Sequence, residues 1–259
     1  MTHRWLIGTG MVLALAAALA LIAGGAQPSL AEDGIIYVDA DATEPGDGED
    51  WTTAFTDLQD ALEAAAIVAP VEIWVAAGTY KPTDGTERTI SFQMQDGVAI
   101  YGGFDPGAGV TKFRDRDWVT YVAILSGDIG AEGDTSDNSY RVFYHPDGTN
   151  LDGSAMLDGF TITGGNADGD APYFFGGGMY NGTNSSPALT NCTFLGNSAS
   201  SGGGMYNGTY ASPVLTNCAF EGNSAQYLCA GMSNGAYASP VLTDCAFEGN
   251  SAGSGGGMY

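Results

Sequence analysis

Residues 202–225 have the sequence GGGMYNGTYASPVLTNCAFEGNSA, and this stretch decides the fold. It recurs with few changes at residues 176–199 and 230–252, and a further copy begins at Gly255. The methionine of each copy returns after 26, 27 and 26 residues. Self-similarity at such a period is typical of a solenoid, in which each repeat buries its apolar side against the next.

Two kinds of solenoid fit this period. Residues 215–223 match the leucine-rich repeat pattern, but such repeats usually return through a helix, which three glycines and a proline exclude here. We therefore predict short strands at Met205–Asn207 and Val214–Phe220. A corner near Thr216 is needed, because no simple alternation turns all the apolar residues of the second strand to one side. These features predict an all-β fold, a parallel β-helix.

Equivalent residues of successive coils would lie about 4.8 Å apart, one strand spacing. Asn197, Asn223 and Asn250 occupy one such position. We predict an internal asparagine ladder, in which each amide bonds to the next and to turn backbone. The alternative is an exposed row of amides that binds a ligand. The ladder is preferred because unpaired buried amides are costly.

Three cysteines, Cys192, Cys218 and Cys245, also share one repeat position. Four cysteines in an exported chain would ordinarily suggest two disulfides. Parallel Cβ atoms about 4.8 Å apart, however, exceed the usual Cβ separation of a disulfide. We predict a column of buried thiols. Cys229 stands apart in residues 226–230, where the third repeat has one extra residue and we predict an exterior turn.

Residues 1–31 form a separate unit. Arg4 precedes an apolar run at residues 11–22, and Ser29–Ala31 has small residues where a signal peptidase cleaves. The alternative is an uncleaved anchor, since the apolar stretch is long enough to span a bilayer. Glycines and a proline interrupt it, so we predict a signal peptide cleaved after Ala31. The mature protein would be secreted or at the cell surface, without a membrane span.

Residues 32–170 are predicted to form an N-terminal cap and irregular first coils, and residues 171–259 the regular repeats. A short capping α-helix should begin at the capping box Thr56–Gln59, end before Pro70, and cover exposed strand edges. Because the sequence stops inside a repeat, we expect the chain to be truncated. The strand candidates of the first part are Ile35–Val38, Val71–Tyr80, Ile90–Met94, Val98–Phe104, Val122–Ser126, Arg141–His145 and Ala155–Thr163.

The chain is strongly acidic. Thirty Asp and Glu residues stand against 7 Lys and Arg, a formal charge of −23, which argues against a nucleic-acid partner. The acidic turns at Asp39 and Asp41 and at Asp168 and Asp170 bring several oxygen donors together, as Ca²⁺ prefers. Solvated turns explain them equally well. Calcium is the cofactor that the sequence leaves open, and we predict no others.

Two short motifs recur in the repeats and resemble a known family. F-x-x-N matches an element of the chlamydial polymorphic outer-membrane-protein repeats, and G-G-M-Y resembles their G-G-A-I element with Met in place of Ala. The resemblance covers about residues 160–259 and implies a right-handed parallel β-helix of the pectin lyase-like type, in a bacterial surface or secreted protein. The motifs lie at Phe194–Asn197, Phe220–Asn223, Phe247–Asn250, Gly177–Tyr180 and Gly203–Tyr206.

Catalysis finds little support in the sequence. Polysaccharide lyases of that fold use Ca²⁺ and an Arg or Lys base, and related hydrolases use two or three Asp that project together. Residues 171–259 hold three acids and no Lys, Arg or His, and the arginines of Arg114–Asp117 and Arg141 are predicted to form ordinary surface pairs. We predict no catalytic residues.

The sequence therefore favours a structural or adhesive display role at the cell surface. Its partners would be glycans or surface proteins of host or neighbouring cells. The alternative is a β-helix that binds or degrades polysaccharide. Carboxylates clustered in one lateral groove would favour that alternative. A smooth, polar, groove-free side would favour the display role, in which the β-helix is a rod.

Overall fold

A computed structural model describes residues 34–43 and 46–259. The predicted signal peptide, residues 1–31, and its cleavage site after Ala31 lie outside these residues. Within them the chain is mostly β-strand, with one α-helix and one short 3₁₀ turn. The elements are β1 (Ile35–Val38), α1 (Leu58–Val68), β2 (Val71–Ala76), β3 (Gly78–Tyr80), β4 (Val98–Phe104), the 3₁₀ turn (Phe113–Asp115), β5 (Ala123–Ser126), β6 (Phe143–His145), β7 (Met156–Asp158), β8 (Phe160–Thr163), β9 (Asn166–Ala167), β10 (Met179–Asn181), β11 (Ala188–Thr190), β12 (Thr193–Leu195), β13 (Ser198–Ser201), β14 (Met205–Asn207), β15 (Val214–Thr216), β16 (Ala219–Glu221), β17 (Ser224–Leu228), β18 (Met232–Asn234), β19 (Val241–Thr243), β20 (Ala246–Glu248) and β21 (Ser251–Ser254).

The strands form four sheets in which neighbouring strands pair in parallel. Their orders are β1-β2-β4-β7-β11-β15-β19, β3-β5-β8-β12-β16-β20, β6-β10-β14-β18 and β9-β13-β17-β21. Each complete repeat contributes one strand to every sheet, so that successive repeats lie on one another. The all-β, parallel part of the fold prediction is confirmed.

Identical residues of successive repeats are paired in register. Phe220 in β16 lies opposite Phe194 in β12 and Phe247 in β20. The ring centroid of Phe220 is 4.7 Å from each neighbour, with planes within 4° of parallel. Phe220 and Met205 are fully buried. The repeats thus stack their apolar side chains into continuous columns.

The predicted corner near Thr216 is present. Asn217 separates β15 from β16 with φ 52°, and the equivalent residues Asn191 and Asp244 have φ 52° and 53°. Asn and Asp tolerate this left-handed conformation better than other side chains do. The corner allows Leu215 and Phe220 to be buried on the same interior.

The third glycine of the triplet, which the third copy keeps as Gly231, is required by close approach between coils. A Cβ atom on Gly204 would lie 2.6 Å from the carbonyl oxygen of Gly231 in the next repeat. It would also lie 2.8 Å from the ring of Phe220. A side chain at this position would therefore separate the two coils.

The fourth strand of each repeat was not predicted from the sequence. β13, β17 and β21 each begin with Ser-Ala, and β13 and β21 consist of small residues throughout, so they show no apolar alternation. The prediction of an exterior turn at residues 226–230 is wrong. The extra residue lies in β17, whose register shifts against β13 and β21, and Cys229 just after it is fully buried.

Helix α1 lies where the sequence placed it and ends at Ala69, before Pro70. Its N-cap is Asp57 rather than Thr56, because the Asp57 carboxylate accepts the Gln59 N–H at 2.8 Å. The buried face of the helix packs against β1 and β2, at the end where the seven-stranded sheet begins.

Most of the early strand candidates are present. Six of the seven segments predicted within residues 32–170 contain a strand. The exception is Ile90–Met94, in which Phe92 forms an isolated bridge to Phe143.

Candidate functional site

The predicted ladder residues lie in the interior, where Asn197 and Asn223 are fully buried. Asn197 donates to the Asn223 Oδ1 from its backbone N–H at 3.0 Å and from its Nδ2 at 3.2 Å. Asn223 donates in the same way to the Asn250 Oδ1, at 3.0 and 2.9 Å. Each amide also donates to the backbone of the preceding coil, for example Asn223 Nδ2 to the Phe194 oxygen at 2.9 Å. These side chains bond coil to coil.

A second buried chain of hydrogen bonds begins at His145. The Met94 N–H donates to His145 Nε2 at 3.2 Å, so the ring proton resides on Nδ1, which lies 2.9 Å from the Asn181 Oδ1. The chain continues from Asn181 to Asn207 at 2.9 Å and from Asn207 to Asn234 at 2.8 Å. Full burial lowers the pKa of His145 from 6.5 to about 4, against the opposing effect of Asn181. The imidazole is therefore neutral at physiological pH.

The four cysteines are unpaired thiols in the structure. Cys192 and Cys218 are 1% and 2% exposed, and Cys245 is half-buried. Burial raises the pKa of the Cys192 thiol. The Cys218 thiol lies 3.7 Å from the Leu189 carbonyl oxygen of the preceding coil. Burial also raises the pKa of Cys229 and of Cys245.

The two calcium candidates lie in different surroundings. Asp39 and Asp41 line a cavity of about 260 Å³ together with Asp105. Burial raises the pKa of Asp39, and the carboxylates of Asp41 and Asp105 add to the rise, while the Asp41 N–H that Asp39 accepts opposes it. Within residues 34–43 and 46–259, no group of three or more His, Cys, Asp or Glu side chains is arranged to hold a metal ion.

In the second candidate pair, one carboxylate binds an arginine and the other does not. Asp168 accepts the Arg88 Nη2 at 2.6 Å, and Arg88 also lies over the ring of Tyr140 at 4.2 Å. This cation already supplies the charge that calcium would supply. Asp170 does not share the arginine and lines a different cleft, described below. Calcium at either pair stays a prediction.

Residues 168–176, which we call the strap, connect β9 to β10 and are held down by a buried arginine. Arg141 is 1% exposed. Its Nε donates to the Phe175 carbonyl oxygen at 2.9 Å, and its Nη2 donates to that of Pro172. The guanidinium lies 4.4 Å from the ring centroid of Tyr144 and 4.6 Å from that of Tyr180. Arg141 thus fastens the strap against the outer face of the sheet that contains β6 and β10.

The prediction of ordinary surface pairs holds for Arg114, whose exposed side chain lies 3.4 Å from Asp115, and is wrong for Arg116 and Arg141. The Arg116 side chain is 6% exposed and binds the Asp158 carboxylate through two nitrogens, at 2.9 and 3.0 Å. Arg141 has carbonyl oxygens and aromatic rings as its partners. Both arginines bind segments distant in sequence, and local spacing therefore did not reveal their burial.

The strap and the sheet of β13 and β17 enclose a lateral cleft of about 550 Å³. Apolar side chains dominate its lining, and Asp170 stands on the strap side. Tyr227 and Leu228 on the opposite wall are 59% and 42% exposed. We call it the aromatic cleft and define it by Phe174, Phe175, Ser200, Ser201, Tyr227 and Leu228.

No protein family, curated protein or solved structure matches this chain. Any functional assignment of the site therefore depends on the geometry of its own residues. Across the described part of the chain, no helix combines the length and the apolar composition needed to cross a membrane.

The aromatic cleft was missed from the sequence, although a signal for it exists. When the repeats are aligned, the position of Ser200 and Ser201 holds Phe174 and Phe175 one copy earlier and larger residues one copy later. A small pair between two large pairs in a stacked fold predicts a gap one coil wide. Phe174 and Phe175 lie just before Gly176, where the first copy begins, so this pattern extends beyond the repeats as the sequence defines them.

Proposed function

We propose that this chain is an exported, right-handed parallel β-helix that serves as a surface-displayed rod for adhesion, with α1 as its N-terminal cap. The aromatic cleft is the lateral site through which the rod holds a partner. The proposal combines the predicted export signal with the stacked architecture and the cleft.

The observation on which the proposal depends is the uninterrupted stacking of the repeats. Each complete copy adds one strand to each of four parallel sheets, in the register of the copy before it except at the shift in β17. In such an architecture each repeat contacts its neighbours, and the length of the body grows with the number of repeats. A stiff body of this kind suits the display of a binding surface away from a cell.

The resemblance to the chlamydial repeats supports the same role. Phe220 and Asn223, the defining residues of one F-x-x-N motif, are the side chains that stack and hydrogen-bond between coils. Gly204, in the glycine motif, is a position where two coils approach closely, since a Cβ atom there would lie 2.6 Å from the Gly231 carbonyl oxygen. The motif residues thus have the roles that a β-helix demands of them.

A second candidate is a β-helix that binds polysaccharide, favoured by the exposed aromatic wall of the cleft, because sugar rings pack on aromatic faces. Degradation is less well supported, since Asp170 is the carboxylate among the residues that line this cleft and related hydrolases need two or three. Binding of neutral oligosaccharides to the purified protein would favour this candidate.

The display proposal is tested in bacterial cells that express the chain with its own N-terminus. We expect the recovered protein to begin at Glu32 and to be digested when protease is added to intact cells. The matched control is Leu15→Arg, which interrupts the apolar run of the signal and should leave the protein unprocessed and protected. Wild-type protein that retains Met1 and resists protease on intact cells would overturn the proposal.

A further inference from the structure

The aromatic cleft is one coil wide because of a large–small–large pattern across three neighbouring strands. Ser201 pairs with Phe175 on one side and with Leu228 on the other. The Ser200 N–H donates to the Phe174 carbonyl oxygen at 3.0 Å. The serine pair therefore forms the floor, and the larger side chains of the two flanking strands form the walls.

The width of this gap suits one planar group. Walls that stand two strand spacings apart are separated by about 9.6 Å. Elsewhere in the molecule the same separation holds one ring, since Phe220 lies 4.7 Å from both Phe194 and Phe247. The cleft has the same strand spacing with serines at the middle position, and because the Phe175 ring stacks on Tyr206 at 4.4 Å, Phe174 and Tyr227 remain as its walls. A flat group inserted over the serines would contact the walls on both faces.

The charge around the cleft selects a cation among planar groups. Asp170 is the charged side chain among the residues that line it, and the neighbouring Arg88 and Arg141 are already bound to Asp168 and to carbonyl oxygens of the strap. The whole chain has a formal charge of −23. A cationic segment would be attracted to this surface, and an anionic ring such as a nucleotide or a uronic acid would be repelled.

The molecule already binds guanidinium groups in this way beside the cleft. Arg141 lies 4.4 Å from the ring of Tyr144 and 4.6 Å from that of Tyr180. Arg88 lies over the ring of Tyr140 at 4.2 Å and pairs with Asp168 at the start of the strap. An aromatic face with a nearby oxygen acceptor, a carboxylate at Arg88 and carbonyl oxygens at Arg141, is thus the local arrangement for a guanidinium, and the cleft offers an aromatic wall and the Asp170 carboxylate.

We propose that the aromatic cleft binds the guanidinium of an arginine in a basic segment of a partner protein. The guanidinium inserts between Phe174 and Tyr227, and the Asp170 carboxylate supplies the opposite charge. Arginine is preferred over lysine because its planar group can stack on the two walls, whereas an ammonium cannot. This inference rests on the proposed adhesive role and names the chemistry of the partner.

The test measures the dissociation constant of a capped pentapeptide that contains two arginines, by calorimetry at physiological ionic strength with purified chain. The same peptide with two lysines, and one with two citrullines, are the comparison ligands. We expect the arginine peptide to bind about fivefold more tightly than the lysine peptide. The citrulline peptide, which is planar but uncharged, should bind more weakly than the arginine peptide.

Matched variants locate the site. Asp170→Asn and Tyr227→Asn should each weaken the arginine peptide about fivefold. The controls are Glu221→Gln, an acid outside the cleft, and Tyr237→Asn, an exposed tyrosine whose equivalent in the first repeat is already Asn184. Both controls should leave binding unchanged, and melting curves verify that all four variants are folded.

Equal affinity for arginine and lysine peptides, or equal losses in the controls and the cleft variants, would overturn the proposal in favour of non-specific charge attraction. A neutral oligosaccharide that binds and is lost in Tyr227→Asn would also overturn it and assign the cleft to glycans. Since these measurements use purified protein, their failure would leave the display experiment on intact cells unaffected.

Discussion

Buried amide side chains are the residues that join neighbouring coils. Asn181 and Asn207 each donate to the next asparagine in one direction, starting from the neutral His145. Asn197 and Asn223 do the same along a second line and also bond the backbone. A buried amide that lost its partner would be left unsatisfied, so each member depends on its neighbour.

His145 should make the stability of the protein depend on pH. Its pKa is lowered in the folded state to about 4, so unfolding takes up a proton below pH 6.5. Above about pH 6.5 the imidazole is neutral in both states, and the stabilising contribution of the buried His145 is fully present. As the pH falls from about 6.5 towards 4, the unfolding free energy decreases by a total of about 3 kcal/mol. Denaturant unfolding between these pH values measures it.

The control for that prediction is His145→Gln, which does not titrate in this range. The difference in unfolding free energy between the two proteins should narrow as the pH is lowered. Parallel pH profiles for wild type and His145→Gln would contradict the assigned burial of a neutral imidazole.

Asn223→Ala should lower the unfolding free energy by about 1–3 kcal/mol, because the Asn197 N–H and the Phe194 carbonyl lose a partner. Gln226→Ala, on an exposed side chain of β17, is the control and should change little. Asn184 is unsuitable as a control, since its φ of 63° would strain an alanine. Equal shifts in melting temperature for Asn223→Ala and Gln226→Ala would remove the ladder argument.

At the scale of elements, the strap and the thiol column both depend on groups buried between strands. Backbone hydrogen bonds join the strap to β13. The side chain of Arg141, which lies just before β6, donates two further hydrogen bonds to the strap. Cys192 and Cys218 lie at equivalent positions just before β12 and β16. The strap and the thiol column are therefore each held by contacts with residues from other segments of the chain.

Arg141→Lys should loosen the strap, because a lysine cannot donate to two carbonyl oxygens while stacking on Tyr144 and Tyr180. We expect a loss of about 2 kcal/mol and faster amide exchange in residues 168–176. Arg114→Lys, on a side chain that is 78% exposed, is the control. Unchanged exchange in the strap of Arg141→Lys would show that the arginine does not fasten it.

The thiols should differ in their rates of labelling. Cys192 and Cys218 should react slowest in the folded protein, because burial removes access to both thiols and also raises the pKa of Cys192. The half-buried Cys245 should react fastest, whereas Cys229, expected from the sequence to be in an exterior turn, is buried. Denatured protein should take up four labels without reductant, counted by mass. Labels that appear only after reduction would instead establish disulfides.

At the scale of the whole molecule, stability should be a sum over neighbouring coils. An interior coil has a neighbour on both sides, so its apolar residues lose more when truncated than those of the last described coil. Phe220 is fully buried between two rings, while Phe247 is partly buried and stacks on one.

Phe220→Ala should therefore cost about 3–5 kcal/mol of unfolding free energy, within the range for buried aromatic residues. Phe247→Ala, the same substitution one repeat later, should cost clearly less. Chemical denaturation of both variants gives the comparison. Equal losses of unfolding free energy in the two variants would indicate that a second neighbouring coil does not increase the stabilisation by a buried ring.

The sequence by itself determined the periodic part of this protein. The repeat period, the strands at Met205–Asn207 and on either side of the corner at Asn217, and helix α1 follow from local patterns of glycine, proline and apolar residues. Asn197, Asn223 and Asn250 could also be selected as a stacked set, because identical spacing places them one above another. These properties depend on residues that are close in the chain or equivalent by repetition.

The tertiary structure alone decided the features that join unlike segments. Arg141 meets Phe175 across 34 residues, and Arg88 meets Asp168 across 80. His145 enters the asparagine line although it lies outside the regular repeats. Such contacts depend on the three-dimensional register of distant residues, which no local pattern of the sequence records.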